Sequence, residues 1–255
     1  MSETWHIEIA STFDCNASFD GVGVEPVFNV FDFHFSDSSR STDARMDCLT
    51  ASERERAGRF HHLIDRNRFV VGRSMLRQVL GMALDMSPVD VPISVEKGRP
   101  FLDQSVFGPC FFNLTHSGNR VMLIFSGERQ VGIDVEVERD FADLDQVARR
   151  VMTNGEFDQY LSMNKAGRVA AYFRLWVRKD SIMKCLGKGF VIDPRKIEVG
   201  LDTSSSTEGL AEQREFQLNQ FKETEHGKSH YWAFTYYGQL SRFRLDRHLV
   251  GACFN

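Results

Sequence analysis

Three strand-like runs, at 110–115, 121–125 and Val131–Val137, follow one another with only Ser117-Gly118-Asn119 and Ser126-Gly127-Glu128 between them. Both links are strong turn signals, and links this short predict antiparallel neighbours. A further strand is predicted at 27–35, where Val27, Asn29, Phe31, Phe33 and Phe35 alternate onto one mostly apolar face. Two helices lie between. Ser52-x-x-Glu55 has capping-box spacing for the first. The second runs over about 65–80, with Phe69, Met75, Leu76, Val79 and Leu80 as its buried stripe and Gly81 as its C-cap. Lys97-Gly98-Arg99-Pro100 reads as a turn.

Beyond residue 140 the pattern turns helical. The clearest helix is 169–186, carrying Tyr172, Leu175, Trp176, Ile182, Met183 and Leu186 at helical spacing and ending at Gly187. Strands are predicted again at 195–201, 215–221 and 231–237, with the Ser/Thr-rich 202–209 as a mobile loop. The order strand, helices, strands thus occurs once before about residue 127 and again after it. The expected fold class is α+β: two similar α/β halves, 1–127 and 128–255, each a mainly antiparallel sheet with packed helices, with a cleft between them.

Composition excludes several functions. The chain is 42% hydrophobic and 26% charged, enough for a core and too apolar for a disordered chain. No apolar run reaches the roughly 20 residues of a membrane span, and MSETWHIEIA lacks the features of a signal peptide, so a cytoplasmic location is expected. The five cysteines (Cys15, Cys48, Cys110, Cys185, Cys253) are odd in number and without a CxxC pair, which fits a reducing compartment and neither a disulfide framework nor a zinc ribbon. There is no HExxH, no G-x-S-x-G and no Walker A loop. A net charge of −4 argues against nucleic acid as a partner. Within 50–100, however, nine Arg/Lys stand against six acids, a local excess suited to a small polyanion as well as to solvated helix faces.

Three features carry candidate chemistry. In Val131-Gly132-Ile133-Asp134-Val135-Glu136-Val137, alternation buries the valines and Ile133 and turns Asp134 and Glu136 together to the other face. Two carboxylates so close repel, and a hard cation between them relieves the repulsion. Gly132, on their face, leaves room for something to approach the backbone. Asp180 and Lys184 are four apart on the 169–186 helix, hence on one side of it. Thr115 and His116, at a strand end in Asn113-Leu114-Thr115-His116-Ser117, supply groups that can hold a phosphate. Each feature also has an ordinary reading: a solvated strand face, an exposed ion pair, a structural histidine.

Their order along the chain resembles one family. KGRP, NLTHS, GIDVE and a WxxKD helix running into GKG are similar to the KGKP, NxSHS, GxDxE and WxxKExxxKxxGxG motifs of the phosphopantetheinyl transferases of the Sfp type, the larger pseudo-dimeric class. The stretch Glu53-Arg54-Glu55-Arg56 to Arg68 also looks like the family's ExxRxxRF…R segment, and the resemblance spans about 49–201. It implies Mg²⁺ or Mn²⁺ and coenzyme A, whose phosphopantetheine arm passes to a serine of an acyl- or peptidyl-carrier protein. By position it implies Asp134, Glu136 and Asp180 at the metal and Lys184 at the phosphates. It also implies Arg56, Arg68 and His116 at the 3′-phosphate end, and Arg99 and Thr115 at the nucleotide or pyrophosphate. Asp180 or Glu156 would be the base, and a monomer is expected. Asp180 stands where the family usually has glutamate, one methylene longer.

Overall fold

Phenylalanines on alternate positions of the first strand set the core of the first unit. The computed structural model describes residues 27–35, 42, 44–187, 192–203, 206–211, 214–225, 227–238 and 244–250. Contacts divide the chain into a unit of 1–128 with 242–255 and a unit of 129–241. In the first, β1 (Val27–His34) turns Phe31 and Phe33 toward the long helix α2 (Leu63–Leu84), where Met75, Val79, Phe112 and Leu123 complete the core. The hairpin β4 (Phe111–Ser117) and β5 (Arg120–Ser126) completes the antiparallel part of the sheet, in the order β1-β5-β4.

The same topology recurs in the second unit. There β6 (Val131–Val137) is followed by α4 (Leu144–Val151), α5 (Asn154–Leu161) and the long α6 (Lys165–Cys185). The hairpin β8 (Arg214–Glu225) and β9 (Lys228–Tyr237) then returns to pair antiparallel with β6, in the order β6-β9-β8-β7, with β7 (Ser206–Ala211) at the edge. Strand, long helix, hairpin: each unit builds its sheet by the same route, as the α+β reading of two similar halves expects.

Several local expectations are corrected. The capping box that opens α1 (Ala51–Gly58) is Thr50 with Glu53, not Ser52 with Glu55: Glu53 N donates to Thr50 Oγ1 at 3.3 Å and Thr50 N to Glu53 Oε2 at 3.0 Å. Glu55 instead pairs with Arg59. Gly81 lies inside α2, which ends at the left-handed Asp85; a Cβ on Gly81 would stand 2.7 Å from Met86 O, where the chain folds back. The segment 97–100 is half turn, half strand. Lys97 and Gly98, both at positive φ, link β2 (Ser94–Glu96) to β3 (Arg99–Phe101) as a two-residue hairpin turn. A one-turn helix α3 (Gln104–Phe107) follows.

Of the three consecutive runs, only β4 and β5 are neighbours; β6 begins the second sheet. The expected strand at 195–201 is a 3₁₀ turn (Pro194–Lys196) and an extended stretch with no sheet partner among the described residues. Its burial still alternates, through Ile197, Val199 and Leu201, but its backbone N–H groups serve a side chain instead. Part of the expected loop 202–209 belongs to β7. The second half does not run to the chain end: β10 (Arg244–Val250) lies parallel to β1 in the first sheet. Arg247 there reaches the buried Asp32, at 2.5 Å. Cys15, Cys253, Lys188 and Gly189 lie outside the described residues.

Candidate active site

Gly132 explains how the candidate carboxylates meet. What approaches the strand is α6 itself: a Cβ on Gly132 would lie 2.1 Å from Ser181 O and 2.4 Å from Cys185 N. Backbone meets backbone here, which only glycine permits. The contact brings the neighbours of those two residues, Asp180 and Lys184, over the strand's acidic face. Lys184 Nζ donates to Asp134 Oδ1 at 2.6 Å and to Asp180 Oδ2 at 2.9 Å. Buried Val131, Ile133 and Val135 point to the other face, and α6 packs on the carboxylate side, with Leu175, Ile182, Leu218 and Ala233 in the core beside it.

The electrostatics follow from two acids sharing one base. Burial pushes the Asp134 carboxyl well above the usual carboxylate range; Lys184 opposes this, while the charges of Asp180 and Glu136 add to it. Burial alone would lower Lys184, but Asp134 and Asp180 outweigh it and hold the ammonium above its ordinary value. The two shifts share a direction but not a cause: burial dominates at Asp134, and the paired acids dominate at Lys184. Glu136, two residues along the same strand face, is partly exposed and pairs with Arg139 at 3.4 Å. Tyr172 is pushed up to about 12 by burial first and then by Glu136.

Among the described residues, no three His, Cys, Asp or Glu side chains form a ready-made metal-binding group. The donor chemistry nevertheless fits one. Oxygens of Asp134 and Asp180 already converge on a single positive charge, and carboxylate oxygens are the ligands a hard divalent cation takes.

Glu156 is engaged elsewhere. It is the N3 residue of a Thr153 capping box at the start of α5, accepting from Thr153 N at 2.8 Å. It also accepts from Lys179 Nζ at 2.5 Å, from Val199 N at 2.9 Å and from Gly200 N at 3.3 Å. Lys179 in turn donates to Val151 O at 2.8 Å and Pro194 O at 3.0 Å. The buried pair ties α4, α5, α6 and the 192–200 stretch together. Thr153-x-x-Glu156, with capping-box spacing, is the sequence signal for this duty, and its partner Lys179 lies inside the WxxKD motif.

The remaining candidates lie in the first unit. The Arg56 guanidinium sits over the Phe69 ring, 5.0 Å from its centroid, and Arg68 spans from Asp65 to Gly118 O at the β4–β5 turn. His116, exposed on β4, is two residues along the chain from Gly118. Thr115 points to the opposite face of β4 and is buried, and Arg99 opens β3. Sequence reasoning also missed a buried ion cluster: Arg120 holds Asp32 through two bonds, at 2.9 and 2.6 Å, with both side chains fully buried.

Two family models match this chain. Residues 130–237 match the 4′-phosphopantetheinyl transferase superfamily, and residues 34–128 match the 4′-phosphopantetheinyl transferase N-terminal family. Between them they cover most of both units, and the chain belongs to the 4′-phosphopantetheinyl transferase superfamily. It is 34% identical over 155 residues to the 4′-phosphopantetheinyl transferase HetI of Nostoc, a match covering 60% of this chain and 65% of that protein. It is 26% identical over 153 residues to Sfp of Bacillus subtilis, covering 60% and 66%, and 33% identical over 122 residues to AcpT of Escherichia coli, covering 48% and 58%. The chain thus spans just under two thirds of the length of HetI and Sfp. Among the described residues, no helix is long and apolar enough to cross a membrane.

Proposed function

We propose that this chain transfers the 4′-phosphopantetheine group of coenzyme A to a serine of an apo acyl- or peptidyl-carrier protein, releasing adenosine 3′,5′-bisphosphate. The observation that carries the reading is the convergence of Asp134, Asp180 and Lys184, held in place by the Gly132–α6 contact, inside the segment that matches the superfamily. Phosphoryl transfer asks a protein chiefly for positioning and charge neutralisation.

Asp134, Asp180 and Glu136 would hold Mg²⁺ or Mn²⁺, which supplies charge neutralisation at the pyrophosphate and its leaving oxygen. Lys184, on its flexible stem and partly exposed, steadies the phosphates. Arg56, Arg68 and His116 are assigned to the 3′-phosphate end, and Arg99 and Thr115 to the nucleotide or pyrophosphate. The serine oxygen attacks the phosphorus bearing the pantetheine arm, the bond from that phosphorus to the bridging pyrophosphate oxygen breaks, and the serine proton passes to Asp180. Glu156, already accepting four hydrogen bonds, is assigned to positioning α6 rather than to the proton. The protein acts as a cytoplasmic monomer in this reading.

The test is release of adenosine 3′,5′-bisphosphate from coenzyme A, followed by chromatography, with and without an apo-carrier protein. Release that depends on the carrier and on its serine supports the proposal. Coenzyme A that stays intact with every acyl- and peptidyl-carrier tried contradicts it.

A further inference from the structure

We infer that Lys184 is the built-in counter-ion of the carboxylate site, standing where a divalent cation would otherwise neutralise Asp134 and Asp180, so that cation binding must displace it. This rests on the proposed function for the identity of the site. It goes beyond it in giving one residue two successive partners.

The geometry is specific. A single ammonium lies 2.6 Å from Asp134 and 2.9 Å from Asp180, and these two acids are the ones that the Gly132 contact forces together. Glu136 is compensated separately, by Arg139 at 3.4 Å. Among the described residues, the charged groups at the pair from the two packed elements include Asp134 and Glu136 on β6, Arg139 just beyond it, and Asp180 and Lys184 on α6. Asp134 is buried, and a buried carboxylate without a compensating cation is costly. Lys184 removes that cost in the metal-free protein.

A divalent cation between the same oxygens makes the ammonium redundant and repels it. Lys184 can leave, because its side chain is about a quarter exposed while Asp134 is held in the sheet. Once released, its charge is available to an incoming pyrophosphate. Cation and polyanion binding then favour each other, since each supplies what the lysine's departure requires: a replacement charge for the acids and a new partner for the ammonium. A lysine that only anchors phosphate makes no such link, and its removal leaves cation affinity untouched.

Lys184→Met separates these cases. Mn²⁺ binding to the metal-free, coenzyme A-free protein is followed by the electron paramagnetic resonance signal of the free ion, for wild type and variant. The counter-ion role predicts Mn²⁺ affinity higher in the variant by about tenfold, within the range usual for coupled sites. Thermal unfolding gives a second reading that survives a poorly folded variant. Lys184→Met is the less stable protein without metal, and Mn²⁺ raises its melting temperature more than it raises that of wild type. Equal or weaker Mn²⁺ binding by the variant overturns the inference while leaving the cation site standing. No Mn²⁺ binding by either protein, with or without coenzyme A, overturns the cation site itself and the inference with it.

Discussion

Replacing Gly132 by alanine adds one methyl group at the point where α6 touches β6. Its Cβ would meet Ser181 O at 2.1 Å, Cys185 N at 2.4 Å and Cys185 Cα at 3.0 Å, all backbone atoms that cannot rotate aside. Ordinary contact begins near 3.4 Å, so the helix must withdraw by roughly 1.3 Å if the strand stays fixed. Overpacking of this kind costs about 1–3 kcal/mol, and more where backbone must move. The residues displaced are the neighbours of Asp180 and Lys184, so the site is pulled away from Asp134. A misplacement near 1 Å is enough for a loss on the order of a hundredfold in rate. Gly132→Ala is therefore predicted to lower the melting temperature and to reduce pantetheine transfer about a hundredfold at saturating coenzyme A. Gly127→Ala, whose added methyl meets nothing within 4 Å, is the control and should change neither. A Gly132→Ala protein with wild-type melting temperature and wild-type transfer rate would refute the reasoning.

Two further substitutions test buried ion pairs, one in each unit. Asp32→Asn removes the acid from a fully buried pair and is predicted to cost about 3–5 kcal/mol at pH 7, read by urea unfolding. Burial works to raise the Asp32 carboxyl, but hydrogen bonds from Arg120, His34 and Arg247 outweigh it and hold it well below the usual range. A depressed carboxyl stabilises above its unfolded value and loses that contribution as pH falls. The penalty of Asp32→Asn should thus shrink by about 1 kcal/mol between pH 7 and pH 3; a penalty that grows in acid contradicts the sign. Glu156→Gln leaves buried Lys179 without its acid and should destabilise by about 3–5 kcal/mol while keeping the shape of the kcat–pH profile. An altered profile at unchanged stability would return Glu156 to proton chemistry.

Much of this was legible in the residues. Alternation located β1 and β6, strand-like runs bounded by turn signals located β4 and β5, and helical spacing located the two long helices; β5 is buried along its whole length, so no alternation could mark it. The acids and lysine of the site were also visible, since i,i+2 on a strand and i,i+4 on a helix fix which side chains share a face. What the sequence could not display was contact between distant segments. Gly132 was seen to leave room, but not that α6 fills it. The 197–201 stretch carries a strand's burial rhythm, yet its N–H groups are satisfied by Glu156, so pattern alone misread it. Asp32 stands between phenylalanines on β1, and its partners Arg120 and Arg247 lie 88 and 215 residues away, so no local pattern announces the pairing. The C-terminal strand joins the first sheet for the same kind of reason: nothing local in Arg244–Val250 names β1 as its partner.

The most direct test of the central claim is the intact mass of apo acyl- and peptidyl-carrier proteins after incubation with this protein, coenzyme A and Mg²⁺, beside a chelator control. The account predicts a gain of one phosphopantetheine on the carrier serine, abolished by the chelator and by Asp134→Asn. Carriers whose mass stays unchanged, while coenzyme A and the cation are both bound, would contradict it.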